Sequence, residues 1–141
     1  AEQTRNHLQQ VANCLRPGGI YILGFHLLPP DASTQCIERW TERWGRLRAT
    51  VTLRVVATNR RLRREHIRIS LLVRSGRRVL RIRDEFRLRI YTASQFLELL
   101  AGVPDWQLCD VYDFWYEIDR PVPLDDRISD AVFILKKRLQ V

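Results

Sequence analysis

His26 interrupts an almost continuously apolar run from Ile20 to Leu28, in which the other interruption is Gly24. An imidazole at the end of a strand can orient a bound group or take its proton; an exposed or capping histidine fits the same position. Arg87 and Arg89 alternate with Leu88 and Ile90, and Tyr91 extends the same polar face. A guanidinium so placed can hold a carboxylate through two parallel hydrogen bonds, while a solvated sheet face explains the pattern equally well. Trp40 and Trp44 are four residues apart, a spacing that suits a buried helical face better than a cage for a cation. Asp110, Asp113 and Glu117 lack any partner pattern that would set one up as acid and another as base. Cys14, Cys36 and Cys109 form no CxxC pair and sit among apolar residues, which reads as buried structural thiols rather than metal ligands or nucleophiles.

The elements that must position these groups can be traced along the chain. Leu8, Val11, Ala12 and Leu15 recur at helical spacing, predicting a helix from about Gln3 to Leu15. Pro17 cannot continue it, and Gly18 or Gly19 can take the positive φ that favours a helix end. A strand then starts at Ile20, apolar enough to be covered on both faces. After Pro29-Pro30, the N-cap candidates Asp31 to Ser33 and the spacing of Cys36, Ile37, Trp40 and Trp44 predict a second helix, running to about Arg43 or Gly45.

From Thr50 onward the period changes to two. Val51, Leu53 and Val55 alternate with polar residues, as do Ile67, Ile69, Leu71 and Val73, and then Leu80, Ile82, Phe86, Leu88 and Ile90. Ser75-Gly76 suits a tight turn and Asn59 to Arg63 a looser one, so three antiparallel strands are expected. Thr92 and Gln95 form a capping box ahead of a helix carrying Phe96, Leu97, Leu99 and Leu100, which stops at Gly102 and Pro104. Trp106 to Tyr112 and Ala131 to Leu135 are two further strands. The 141 residues thus read as one partial domain: residues 1–45 with helix, strand and helix, an antiparallel insertion at 46–91, and a helix with closing strands at 92–141.

A net charge of +8 is concentrated rather than spread. Between Arg46 and Tyr91, fifteen arginines face only Glu65, Asp84 and Glu85, and the remainder of the chain is net acidic. Arginine outnumbers lysine 22 to 2, a skew that codon composition alone can produce, so the charge is weak evidence for nucleic acid. No apolar run of membrane-spanning length and no leader pattern is visible, and a cytoplasmic location is the expectation.

Taken together, the helix, the L-R-P-G-G-I-Y-I-L junction, the antiparallel insertion, Y-T-A-S-Q-F-L-E-L-L and A-V-F-I-L-K-K resemble the C-terminal half of a class I S-adenosylmethionine-dependent methyltransferase. Phe86-Arg87-Leu88 leading into Tyr91, the Phe96-Leu97-Glu98-Leu99 helix, Asp113-Phe114 and Leu135-Lys136-Lys137 are similar to the segments that close glycine N-methyltransferase. The resemblance implies an α/β fold: part of a Rossmann-like seven-stranded sheet in which Ile20 to Phe25 is the fifth strand, Trp106 to Tyr112 the sixth, and Ala131 to Leu135 the antiparallel seventh between them. It also implies that the insertion, with Arg87, Arg89 and Tyr91, lies on the substrate side, and that His26 stands at the ligand-binding edge. S-adenosylmethionine is then the cofactor, held mainly by an N-terminal half. The G-x-G loop and the acidic residue that would hold it are absent from these residues, so this segment alone is expected to be inactive.

Three functions follow as expectations. The first is a small-molecule N- or O-methyltransferase represented by its substrate-side half, the methyl acceptor being its partner. The second is a basic module binding RNA or another polyanion, against which stands the shortage of aromatic residues among the arginines. The third is a non-catalytic methyltransferase-like remnant. The chain contains no Met, which favours a truncated or processed product. A homo-oligomer, or pairing through the free edge of the strand at Ile20 to Phe25, is expected because that strand would lack a neighbour and be under-covered on both faces.

Overall fold

A computed structural model describes residues 2–139. The elements in chain order are α1 (Glu2–Cys14), β1 (Ile20–His26), β2 (Ile37–Trp44), β3 (Leu47–Asn59), β4 (Arg64–Ser75), β5 (Arg78–Arg89), α2 (Ala93–Ala101), β6 (Trp106–Tyr112) and β7 (Asp130–Lys137). They divide into two compact units, one from residues 1–30 with 91–141 and one from residues 31–90.

The first unit holds a three-stranded sheet in the order β1-β7-β6, with β7 antiparallel to both neighbours. The order places β7 between β1 and β6, as expected, but among the described residues this sheet has three strands in antiparallel pairs and not the seven of a Rossmann-like sheet. Tyr21, Leu23 and Phe25 on β1 share a face with Leu135, Phe133 and Ala131 on β7, and that face packs into the core with α1 and α2. Phe96 lies 4.4 Å from Phe133 and 5.0 Å from Phe25, ring centre to ring centre, and Leu8 and Ala12 of α1 are fully buried. Only the opposite face of β1, with Ile20 and Ile22, is exposed, so the expectation that both faces are under-covered is corrected: the helices shield one of them.

The junction ahead of β1 has a steric basis. Gly18 has φ 77°, and a Cβ on Gly19 would stand 2.9 Å from the Arg16 carbonyl oxygen. Gly18 N–H donates to the Lys137 carbonyl and Lys137 N–H to Gly19 O, which ties the turn to the end of β7. Lys137 is buried, and its Nζ donates to the Leu15 carbonyl at 2.7 Å, supplying a positive group to the C-terminal end of α1. At α2 both capping-box bonds form, from Gln95 N–H to Thr92 Oγ1 and from Thr92 N–H to Gln95 Oε1.

The second unit is a meander in the order β2-β3-β4-β5, with no helix. The helix expected over Asp31 to Gly45 is a strand, which makes the insertion four-stranded rather than three-stranded. Residues four apart share a face of a strand as well as of a helix. The choice falls to the ladder: β2 pairs with β3 from Ile37↔Arg54 to Trp44↔Leu47, and Thr41 and Thr50 join hydroxyls at 2.8 Å. Gly45 (φ 57°) heads a two-residue turn here, and Gly76 (φ 57°) does the same between β4 and β5, so Gly45 starts a hairpin rather than ending a helix.

The register sorts this sheet into two unlike faces. One carries Trp40, Val51, Leu53, Ile69, Leu71 and Ile82; the other carries Arg39, Arg48, Arg68, Arg74, Arg83 and Arg87. The cysteine reading is corrected in part: no disulfide forms, but Cys14 and Cys109 are exposed. Cys14 lies off the Leu8-Ala12 stripe, and Cys109 is the extra residue of a β-bulge in β6.

Candidate functional site

His26 is the last residue of β1 and stands directly opposite Asp130, the first of β7. Their side chains meet at 2.6 Å between Nδ1 and Oδ1. A carboxylate only accepts, so Nδ1 carries the hydrogen and donates it to Asp130. In the neutral ring Nε2 then keeps its lone pair, on a side chain that is largely exposed. An imidazole fixed in this tautomer is competent to take a proton from a group within hydrogen-bond reach of Nε2.

The segment after β6 furnishes the surroundings. The Phe114 ring meets His26 edge-on at 5.1 Å and stacks with Tyr116 at 6.1 Å with an interplanar angle of 6°. Asp113 fixes the turn by accepting from Trp115 N–H at 3.0 Å, and Tyr116 adopts φ 58°. Next to the pair lies an open cleft of about 420 Å³, whose walls include Asp113, Trp115, Val122, Arg127 and Asp130. Asp125, on the same cleft, is held below the usual carboxylate range by the Arg127 guanidinium, and Arg127 is raised in return. Asp126 is lowered by hydrogen bonds from the backbone and hydroxyl of Ser94, which anchors this loop to the start of α2. The site therefore combines an imidazole held by a carboxylate, the half-buried Phe114 stacked on the exposed Tyr116, and a wall that carries Asp113, Asp125 and Asp130 beside Arg127.

The residues singled out from sequence are not all brought together. His26 lies at the strand end, as expected. Arg87 and Arg89 lie on the basic face of the second unit; Arg89 donates to the Leu62 carbonyl at 3.3 Å. Tyr91 is a correction. The strand stops at Arg89, Ile90 N–H bonds to the Arg63 carbonyl, and the Tyr91 ring enters the core of the first unit, 4% exposed with its hydroxyl 2.8 Å from Thr4 Oγ1. With Tyr91 gone, the Arg-rich face carries no Phe, Tyr or Trp on which a base could stack. Its one carboxylate, Glu85, accepts from Arg83 and Arg68 and faces His66 Nε2 at 3.0 Å. Those guanidiniums push its pKa down to about 2.

Sequence reasoning misses Asp130 and Phe114 as partners of His26. Asp130 is 104 residues away in sequence, and only the β1–β7 register makes the connection.

The described residues do not fit S-adenosylmethionine on their own. Gly18 and Gly19 shape the turn before a strand, Gly45 and Gly76 head hairpins, and Gly102 caps α2 beside Arg5. Gly24 faces Phe114 and Val132 within β1, and no buried polar side-chain atom among the described residues lacks a partner that a cofactor would supply.

No protein-family model matches the chain, and no curated protein matches it by sequence. Solved structures do share its fold. An S-adenosylmethionine-dependent methyltransferase from Clostridium acetobutylicum superposes over 97% of the chain with a TM-score of 0.70 at 14% identity. CalS10, an amino pentose methyltransferase from Micromonospora echinaspora, superposes over 96% with a TM-score of 0.68 at 12% identity. The sugar N-methyltransferase KedS8 from Streptoalloteichus superposes over 96% with a TM-score of 0.64 at 14% identity. The chain spans about half the length of each, 52%, 51% and 49% respectively. It has the fold of part of a methyltransferase, with mixed α/β architecture and antiparallel sheets.

Proposed function

We propose that the chain is the acceptor-side, C-terminal half of a small-molecule methyltransferase that uses S-adenosylmethionine, and that the acceptor is an amine on a sugar. The observation that carries this reading is the match of nearly the whole chain, across both units, to methyltransferases of which two are described as acting on sugars. The rest of a seven-stranded sheet, including the neighbour of the free β1 edge and the residues that hold the cofactor, lies in this reading outside residues 1–141. The cofactor when bound supplies the methyl group; these residues bind and prepare the acceptor.

His26 is the base in this scheme. An ammonium has no lone pair to donate, so the acceptor must lose a proton first. His26 Nε2 takes it while Nδ1–H stays hydrogen-bonded to the Asp130 carboxylate, which holds the ring in the competent tautomer and faces the imidazolium that forms. Phe114 and Tyr116 present aromatic surface to the apolar side of a sugar ring. Arg87 and Arg89 serve as contacts for an anionic group on the acceptor.

The test is steady-state kinetics on the longest native form with an amino sugar as acceptor. His26→Gln is expected to lower kcat by about 10²- to 10⁴-fold. Asp130→Asn lowers kcat less, with KM nearly constant, and Arg87→Ala raises KM with kcat preserved. Unchanged kcat in His26→Gln removes the base from the scheme. Absence of methyl transfer by the wild type to any amino sugar removes the acceptor class.

A further inference from the structure

One corner of the basic face gathers four arginines and no acid. Register sets Arg43, Arg48 and Arg74 in a row across β2, β3 and β4, and Arg39 lies on the same side of β2. Like charges directly opposite one another destabilise a sheet. Among the described residues no carboxylate pairs with any of these four guanidiniums. Glu85, the one acid on this face, is taken up by Arg68, Arg83 and His66.

Between the guanidiniums the surface is hollowed. A recess of about 70 Å³ is lined by Arg39, Arg48 and Arg74 together with Thr50 and Leu72, which are register partners. Thr50 is 6% exposed, and its hydroxyl oxygen lies 2.8 Å from that of Thr41. In such a pair one hydroxyl donates and the other accepts, so the accepting one keeps a hydrogen that no described residue takes up. The recess therefore presents three charged donors beside a nearly buried hydroxyl pair that has one hydrogen left to give.

We infer that this recess binds a phosphate group, carried by a small hydroxylated ester. Guanidiniums meet phosphate oxygens through paired N–H donors and stay charged at any physiological pH. The volume is that of roughly two waters at about 30 Å³ each, which takes one phosphate group and excludes a ring. A second hollow of about 360 Å³ adjoins it, sharing Arg39, Thr50 and Leu72 and adding Thr52, Ser70 and Arg81. Hydroxyls and a further guanidinium there suit the hydroxylated remainder of the ester. Binding an anion also removes the repulsion within the arginine row.

This site is separate from the acceptor contacts proposed at Arg87 and Arg89. Leu72 is six residues from His66, the register partner of Arg87, which is about 20 Å of strand at about 3.3 Å per residue. The recess lies towards the hairpin turns at Gly45 and Gly76, whereas the chain enters and leaves this sheet at the other end, at Asp31 and Ile90. The inference does not depend on the proposed chemistry.

Titration calorimetry on the longest native form at low ionic strength tests it, with inorganic phosphate and glycerol phosphate as separate titrants. Both are expected to bind at one site, glycerol phosphate about 3-fold tighter or more, and added sodium chloride should weaken both. Arg48→Gln and Arg74→Gln should each weaken binding about 10- to 100-fold, the size of a lost charge-assisted hydrogen bond. Thr50→Val, which keeps the branched shape of the side chain, should weaken it about 3- to 10-fold. Arg64→Gln removes the same charge at the other end of the sheet and should change affinity less than about 2-fold. Phosphate should also raise the melting temperature of the wild type and not that of the Arg48→Gln, Arg74→Gln double variant, a scan that reports at the same time whether the variants are folded. No saturable binding of either titrant would overturn the inference. Equal losses in Arg64→Gln and Arg74→Gln would overturn it too, because the attraction would then belong to the whole face. Glycerol phosphate binding no tighter than inorganic phosphate would overturn the ester as the occupant.

Discussion

In the first unit a three-stranded sheet lies beneath α1 and α2, and Ala131, Phe133 and Leu135 are wholly shielded. In the second, four strands of eight to thirteen residues have no helix among residues 31–90 to shield them, and β5 is exposed from end to end. Both sheets have a well-defined apolar face. The difference is that one finds its second layer within its own residues, at the cost of helices, caps and a tethered turn, whereas the other must find it elsewhere. Alternation along a strand reveals which face wants covering; it carries no information about what covers it.

This contrast can be broken by substitution. Phe133→Ala should destabilise the chain by about 3–5 kcal/mol, because the ring sits between Phe25 and Phe96 with no solvent access. Ile82→Ala, half-exposed in the open sheet, should cost under about 1 kcal/mol when the chain is dilute, since most of its apolar surface is already in water. Urea denaturation of both variants compares the units directly, and equal losses would mean that the open face is covered within one chain.

Smaller effects sharpen the same comparison. Lys137→Met removes the donor to the Leu15 carbonyl and should cost about 1–3 kcal/mol. Thr92→Ala opens the capping box of α2 and should cost about 1 kcal/mol in the same assay. A Thr92 variant as stable as the wild type would show that packing of Phe96 alone holds the helix.

The smallest effect belongs to the basic face of the open sheet. Glu85 has its pKa lowered to about 2 by Arg83 and Arg68, so its contribution is fully present above the ordinary glutamate range and is lost as pH falls towards 2. Carboxyl NMR should show Glu85 still ionised near pH 3, and Arg83→Ala should move its midpoint upward. An ordinary midpoint in the wild type would contradict the ion-pair cluster.

Much of this fold is legible in the sequence where a local rule has few alternatives. Leu15 to Ile20 can only end a helix and begin a strand, because Pro17 forbids continuation and Gly19 admits no side chain against Arg16 O. The box at Thr92 and Gln95 and the turn at Gly76 are equally local. Ile37 to Trp44 reads as a helix because the spacing of its aromatic residues satisfies both periods, and the deciding interaction, Thr41 with Thr50, lies across a hairpin. Tyr91 falls on the wrong face because alternation, carried along the sequence, overshoots the strand end at Arg89 by two residues. The site is half legible: His26 stands out as the one polar side chain in an apolar run, while Asp130 and Phe114 reach it only through β-sheet register and loop closure.

Calorimetric titration of S-adenosylmethionine tests the central proposal, that these residues are the acceptor side of a divided site, most directly. The longest native form should bind the cofactor, and residues 1–141 alone should give no heat of binding. Comparable binding by residues 1–141, or none by the longest form, would contradict it.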